Sequence, residues 1–341
     1  MKHWTIGVVG AGSIGRVHAE VITTLANATF AGCCDGGSGR AKPLCEDLGG
    51  RVYADYQAMM ADEAIDVVMI ASPSGGHMEP AVAAAKAGKH VLCEKPLDIT
   101  PQRIDRMIAA HRAAGTYLGG VFQNRFTDGV RHLRKAIARG RFGRITYAGV
   151  YVPWWRDQGY YDGTWRGTWA LDGGGALMNQ SIHMVDMLID LMGPVVEVKA
   201  MADTLGHAIE AEDTAAAVVR FENNAIGLIY GTTASWPGHP RRFEITGTNG
   251  TAIYTDDRIT AWDVAEPQPD DEQILKGTQA GNRSGGAADP KDISADYHRR
   301  NLCAFLEAIE QQKPFELDGR EARKSVELIL RIYENAGIRK P

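Results

Sequence analysis

The chain has 341 residues, with 37 Lys and Arg against 42 Asp and Glu and a formal net charge of −5. That length suits two domains with a sizeable core, and the mildly acidic balance leaves no basic footprint for nucleic acid or an anionic membrane. No apolar run is long enough to span a bilayer and no signal-peptide pattern precedes the first strand, so a cytoplasmic protein with no membrane partner is expected.

Residues 5–9, TIGVV, read as a short buried parallel strand. Gly10, Gly12 and Gly15 then spell G-x-G-x-x-G, and residues 16–25 carry Val17, Val21 and Leu25 at helical spacing. Strand, glycine turn and helix in that order are what this motif needs in order to bind a dinucleotide. The first glycine permits the tight turn, the second lets backbone approach a pyrophosphate, and the third lets the helix pack close to the strand. Free N–H groups at the helix start face the phosphates, so Ser13 and Ile14 join the glycines as cofactor-binding candidates.

A second strand, 29–34, ends at Asp35, about twenty residues past the last glycine, where a carboxylate accepts hydrogen bonds from the adenosine ribose. Its charge favours NAD over NADP. Ser38 and Arg40, folded over the ribose, would instead admit a 2′-phosphate, so the sequence leaves NADP open. The competing reading of Asp35 is a turn residue before Gly36 and Gly37. Five cysteines (Cys33, Cys34, Cys45, Cys93 and Cys303) form no C-x-x-C pair, which suggests buried free thiols rather than disulfides or metal.

Strand 66–71, helix 78–87, strand 90–93, a helix to residue 114 and strand 117–122 continue the alternation. Thr100 is a good N-cap for that helix and Pro101 a good first helical residue. The expected class is α/β, with a doubly wound parallel sheet of Rossmann type over residues 1–124. Ligands bind beyond the strand ends of such sheets, so Gly10, Asp35, Ser72, Lys95 and Gln123 should share one rim. Pro73, His77 and Glu94 lie beside them as further cofactor-binding candidates.

Beyond Asn124 the rhythm changes. Residues 128–139 read as a helix and 145–154, 195–205, 214–221, 225–234, 242–247 and 251–254 as strands, with hairpin signals at Asn223-Asn224 and Asn249-Gly250. A helix over 176–192 interrupts them, and helices 296–311 and 321–335 follow. Residues 276–291, rich in Gly, Asn, Ser and Ala, read as a loop. The second domain, 125–341, is thus α+β on a large, open, mostly antiparallel sheet. One face of that sheet needs cover, which implies a homodimer or homotetramer.

The glycine-rich start, Asp35, Ser72-Pro73, Glu94-Lys95-Pro96 and the segment GGGALMNQSIHMVD together resemble the glucose–fructose oxidoreductase/inositol dehydrogenase (Gfo/Idh/MocA) family. The resemblance covers nearly the whole chain. It implies NAD(P)-linked hydride transfer at a hydroxyl or keto carbon of a pyranose sugar, sugar derivative or cyclitol, with Lys95 and His183 as the catalytic pair. The chemistry agrees: oxidation of a carbinol leaves a proton for a base to remove, and in reduction an ammonium stabilises the developing alkoxide. Many family members carry Asp where this chain has Asn179. An amide is no base, so Asn179 should orient substrate while proton transfer rests on Lys95. Asp186, three residues after His183, could orient that ring.

Residues 154–169 hold Trp154, Trp155, Trp165 and Trp169, with Tyr160, Tyr161, Arg156 and Arg166 among them. Aromatic platforms edged by guanidinium donors suit a sugar, and Arg also suits a uronate or aldonate. Trp165 and Arg166 are the preferred substrate contacts, with Gln123, Asn124 and Arg125 weaker. His77, His183 and His207 show no metal-ligand spacing, so no metal is expected. Two rival classes on this fold are a redox-neutral, NAD-using glycoside hydrolase and a non-enzymatic NAD-binding regulator.

Overall fold

The computed structural model describes residues 2–277 and 295–338. Its first unit takes in residues 1–122, 170–173 and 295–326, and its second residues 123–169, 174–294 and 327–341. The first boundary falls after residue 122, and the chain afterwards returns twice to the first unit.

The first unit opens with β1 (Trp4–Val9), α1 (Ser13–Thr23), β2 (Ala28–Cys34), α2 (Ala41–Leu48), β3 (Arg51–Val52) and α3 (Tyr56–Met60). It continues with β4 (Val67–Ile70), α4 (Met78–Lys86), β5 (His90–Cys93), α5 (Pro101–Ala114) and β6 (Leu118–Gly120). The six strands form one parallel sheet in the order β3-β2-β1-β4-β5-β6. Its central strands are apolar on both faces (β4 is buried throughout), as a sheet covered by helices on each side requires. Strand order reverses between β1 and β4, the switch point at which such sheets bind ligands. Thr100 caps α5 by accepting the Arg103 N–H at 3.3 Å, with Pro101 in the first turn, as its sequence predicts.

The second unit carries α6 (Asp128–Ala138), β7 (Ile145–Pro153), a π-helical turn (Ala176–Ser181) running into α7 (Ile182–Met192), and β8 (Val195–Asp203). Then come β9 (Thr214–Phe221), β10 (Ile226–Thr232), β11 (Arg242–Gly247), β12 (Gly250–Thr255), β13 (Arg258–Val264) and α8 (Asp271–Gly277). The strand order is β13-β12-β11-β7-β10-β9-β8, antiparallel except for the parallel β7–β10 pair. Along β9, Ala215, Ala217, Val219 and Phe221 are buried while Ala216, Val218 and Arg220 face outward, the alternation of a sheet covered on one side. The chain ends with α9 (Ala295–Glu310) and α10 (Gly319–Ala336).

Several features differ from the sequence reading, which has no element at α2, β3, α3 or α8. β13 was not anticipated. The 176–192 segment is not one α-helix but a π-turn followed by an α-helix. In α1 the buried face is Gly15, His18, Ala19, Val21 and Ile22 rather than a Val17-Val21-Leu25 stripe, because Leu25 lies beyond the helix. The loop read at 276–291 falls largely outside the described residues. All five cysteines are free thiols, four of them buried.

Candidate active site

In the first unit the chain leaves β1 at Gly10, whose φ of +103° is open to glycine; a Cβ there would stand 2.5 Å from the Ala71 carbonyl. A Cβ on Gly15 would stand 2.0 Å from the Gly10 oxygen, so α1 can approach β1 this closely only with glycine. Gly12 differs: a Cβ there would meet no described protein atom within 4 Å. The N-terminus of α1 therefore has open space over Gly12 and no acidic residue in its first turn. Replacing Gly12 by Ala should leave thermal stability unchanged and weaken NADH binding about 10- to 100-fold, whereas Gly15→Ala should destabilise the fold itself. Fluorescence titration of NADH beside a melting curve separates the two, and a Gly12→Ala protein that binds normally would contradict the cradle.

Asp35 follows β2 and organises its own loop. Its carboxylate accepts from Gly37 N (2.9 Å), Ser38 Oγ (3.1 Å) and Ala41 N (2.8 Å), and these donors, the Ala41 N–H foremost, hold its carboxyl below the usual range. Arg40 is exposed beside it. The turn role and the ribose role are compatible, because a carboxylate has lone pairs to spare.

Lys95 leaves the end of β5 on a segment tethered at three points. Glu94 takes the Lys95 backbone N–H on Oε2 at 3.1 Å and meets His18 Nε2 on Oε1 at 2.7 Å. His77 sets Nδ1 2.9 Å from the Pro96 oxygen and Nε2 2.8 Å from the Ser72 oxygen. Buried Asp98 takes the Met78 N–H and Arg103 Nε. Lys95 itself is half-buried. An amine held so can take or give a proton at a substrate oxygen.

In the second unit Glu212 is wholly buried and accepts from Gly175 N (3.0 Å), Leu177 N (2.8 Å) and Tyr333 Oη (2.8 Å). Burial nevertheless pushes its carboxyl up to about 7. It thereby satisfies the N–H groups at the start of the π-turn that carries Asn179. His183, 9 % exposed, sits in the first turn of α7. The π-turn changes the spacing between Asn179 and His183, whereas His183 and Asp186 lie one turn apart within α7. Asp186 has another commitment: its two oxygens take Arg125 Nε and Nη2, each at 2.7 Å. Arg125 also reaches Asp190 at 3.1 Å.

In the tryptophan-rich segment Trp154 is buried, while Trp155, Trp165 and Trp169 are half-buried. Trp155 meets Trp236 edge-on at 5.5 Å, and Trp169 donates to the Glu210 carbonyl and packs on Tyr333. Arg156 is buried and donates to Gln180 Oε1. Trp165 and Arg166 stay partly exposed, with the Arg166 guanidinium 4.5 Å from the Tyr160 ring centre and 5.4 Å from that of Trp165.

Residues 4–120 match the family model described as oxidoreductase family, NAD-binding Rossmann fold, and residues 130–253 match the GFO/IDH/MocA C-terminal domain. Myo-inositol 2-dehydrogenase of Thermotoga maritima is 31% identical over 282 residues, 78% of this chain and 79% of that one. The chain belongs to the GFO/IDH/MocA family. Another relative, 1,5-anhydro-D-fructose reductase of Ensifer adhaerens, is 30% identical over 91% of this chain and 85% of its own. Among solved structures, the WlbA dehydrogenase from Bordetella pertussis in complex with NADH and UDP-GlcNAcA matches with a TM-score of 0.91 at 34% identity, covering 98% of this chain and 96% of that one.

As a GFO/IDH/MocA protein the chain is an oxidoreductase whose first unit is an NAD-binding Rossmann fold. The open space over Gly12 and the uncapped start of α1 fit a dinucleotide pyrophosphate. Gly10, Gly12, Ser13, Ile14, Gly15, Ser72, Pro73 and Lys95 all follow strand ends of the parallel sheet. His77 and Glu94 lie there too, but their polar atoms are engaged with the protein: His77 joins two loops and Glu94 pairs with His18. Gln123 belongs to the second unit, at the start of a 3₁₀ turn, with Oε1 buried and without a hydrogen-bond partner among the described residues. Asn124 and Arg125 in the same turn are 1 % and 4 % exposed, and Arg125 is engaged by the Asp186 and Asp190 carboxylates. The sequence reading missed His18 and His298, buried polar residues on helices judged by their apolar pattern alone, and Glu212, buried in the loop before β9.

Proposed function

We propose that this oxidoreductase oxidises a secondary hydroxyl of a sugar acid carried on a nucleoside diphosphate, with NAD as cofactor. The observation that carries this reading is the likeness, over nearly the whole of both chains, to a WlbA dehydrogenase solved with NADH and UDP-GlcNAcA. Bound NAD supplies the hydride acceptor. Lys95 Nζ takes the hydroxyl proton in oxidation and returns it in reduction. His183 and Asn179 bind and orient substrate hydroxyls, and Asn179, an uncharged amide, leaves the proton to Lys95. Asp35 accepts from the adenosine ribose, which favours NAD. Trp165 offers a flat apolar surface to the sugar, and Arg166 offers the fork-like donor pair that a carboxylate takes. Relatives named as a myo-inositol 2-dehydrogenase and a 1,5-anhydro-D-fructose reductase support oxidoreduction over the hydrolase and regulator readings.

Calorimetric titration in the presence of NADH tests the substrate class. Arg166→Ala should weaken UDP-GlcNAcA binding about 10- to 100-fold and leave UDP-GlcNAc, which lacks the carboxylate, unaffected. Equal weakening of both would remove Arg166 from carboxylate recognition.

The homo-oligomer reading rests on the outer face of the seven-stranded sheet. Met201 (82 % exposed), Val218 and Ile226 stand there, with Leu228, Tyr147, Tyr151 and Tyr230 beside them. Light scattering at micromolar concentration should report a dimer or tetramer that Val218→Asp dissociates; a monomeric wild-type chain would refute it. No helix among the described residues is long and apolar enough to cross a membrane, and the four buried thiols suit a reducing cytoplasm.

A further inference from the structure

Glu94 is a fully buried carboxylate with two commitments. Oε1 takes the hydrogen bond of His18 Nε2 at 2.7 Å, and Oε2 takes the backbone N–H of Lys95 at 3.1 Å. His18 lies on α1, two turns into the helix whose start faces the dinucleotide cradle, and is 1 % exposed. Its ring stands edge-on to His298 of α9, with centroids 5.3 Å apart and planes at 71°. His298 is 3 % exposed. One ligand-type atom from each of the three residues lies within 4.8 Å of the others.

Two readings compete for such a cluster, a metal site and a hydrogen-bonded relay. Two ligands held about 2.0–2.1 Å from a tetrahedral zinc stand roughly 3.3 Å apart. The His18–Glu94 separation of 2.7 Å is too short for that and is the length of a charge-assisted hydrogen bond. The electrostatics agree. Burial alone would raise the Glu94 carboxyl, but the hydrogen bond from His18 and the charges of His18, His298 and Lys95 outweigh it and hold it down at about 2. His18 Nδ1 is buried without a hydrogen-bond partner among the described residues, so Nε2 is the nitrogen through which this ring acts.

We propose that His18, backed by His298, is a positioning residue that clamps Glu94 so that Glu94 fixes the Lys95 backbone, tying the dinucleotide-binding helix to the residue that moves the proton. The clamp itself stands on the structure of the first unit. Its consequence for turnover rests on the proposed role of Lys95. Lys95 donates its amide to the carboxylate, and the next carbonyl, that of Pro96, is held separately by His77. Release of Glu94 therefore loosens the Lys95 end of the segment while the His77 end stays anchored.

The test compares His18→Leu with His18→Gln, because a Gln amide nitrogen reaches the position of Nε2 and a Leu fills the space without a donor. Hydrogen exchange of the Lys95 amide in the cofactor-free protein is the direct readout. It should speed up about tenfold or more in His18→Leu and return towards the wild-type rate in His18→Gln. With substrate, His18→Leu should lose about 10- to 100-fold in kcat with little change in sugar KM, and His18→Gln should recover most of it. Wild-type exchange at Lys95 in His18→Leu, or equal impairment of both variants, would overturn the proposal. If His18→Leu fails to fold, Glu94→Leu, which removes the acceptor of the Lys95 N–H, carries the same exchange measurement with the same expected direction, and unchanged exchange there would overturn it equally. Altered exchange without any change in kcat would leave the clamp standing and count against Lys95 as the proton carrier.

Discussion

Replacing Lys95 by Met lowers kcat by about 10²- to 10⁴-fold while NADH still binds. Methionine keeps the length and apolar stem of the lysine and removes only the amine. The segment around it is held by Glu94 through backbone, by His77 through the Pro96 carbonyl and by Asp98, and none of these three tethers uses the amine. The loss should appear in kcat and in kcat/KM alike, the signature of a group that acts in the transition state. NADH fluorescence titration beside steady-state rates checks both halves. Retained turnover in Lys95→Met would move proton transfer to another residue.

Replacing Arg125 by Ala costs about 3–5 kcal/mol of stability and lowers Tm on the order of 10 °C. The side chain is 4% exposed and Asp186 is 1% exposed, so truncation strands a buried carboxylate that now takes two hydrogen bonds of 2.7 Å. Asp190 keeps Arg134 as a partner at 2.7 Å, so the damage falls chiefly on Asp186. Pairing Arg125→Met with Asp186→Leu should recover much of the loss, because neither charge is then buried alone. Denaturant melts of the three variants decide the matter. A stable Arg125→Ala protein with weakened sugar binding would restore Arg125 to the substrate contacts expected from the sequence.

The first unit was legible because its signals are local. A run such as VVMI has no polar face to place, so it reads as a strand inside a covered sheet, and the glycine turn marks where the next helix begins. The second unit was legible wherever alternation or a hairpin signal bounded a strand. β13 escaped because its turn uses Asp256 and Asp257 at φ of 41° and 67°, a conformation Asp tolerates but announces less clearly than Asn-Gly. The π-turn at Ala176–Ser181 escaped because nothing in ALMNQS departs from helical composition. Its cause lies elsewhere in the chain, in Glu212, whose carboxylate takes the Gly175 and Leu177 N–H groups.

The functional residues show the same division. Asp35 and the glycines stand at strand ends with the spacing of the motif, whereas Lys95 stands out by its place after β5 and by the family resemblance. Trp165 and Arg166 are half-buried, as Trp155 and Trp169 are, and only the structure shows Tyr160 beneath the guanidinium. His18 could not be found by pattern. It occupies a helix position that an apolar residue would suit, and its partners Glu94 and His298 lie 76 and 280 residues away in sequence. A buried polar residue becomes visible only when its partner is known.

The most direct test of the central claim is absorbance at the reduced-nicotinamide band, with purified protein, NAD or NADP, and a panel of UDP-linked uronates, free uronates, pyranoses and inositols. NADH formation with NAD and a UDP-linked uronate, absent in Lys95→Met, is the predicted result. No reduction with any member of the panel while NADH binds tightly, or sugar release without net reduction, would contradict it.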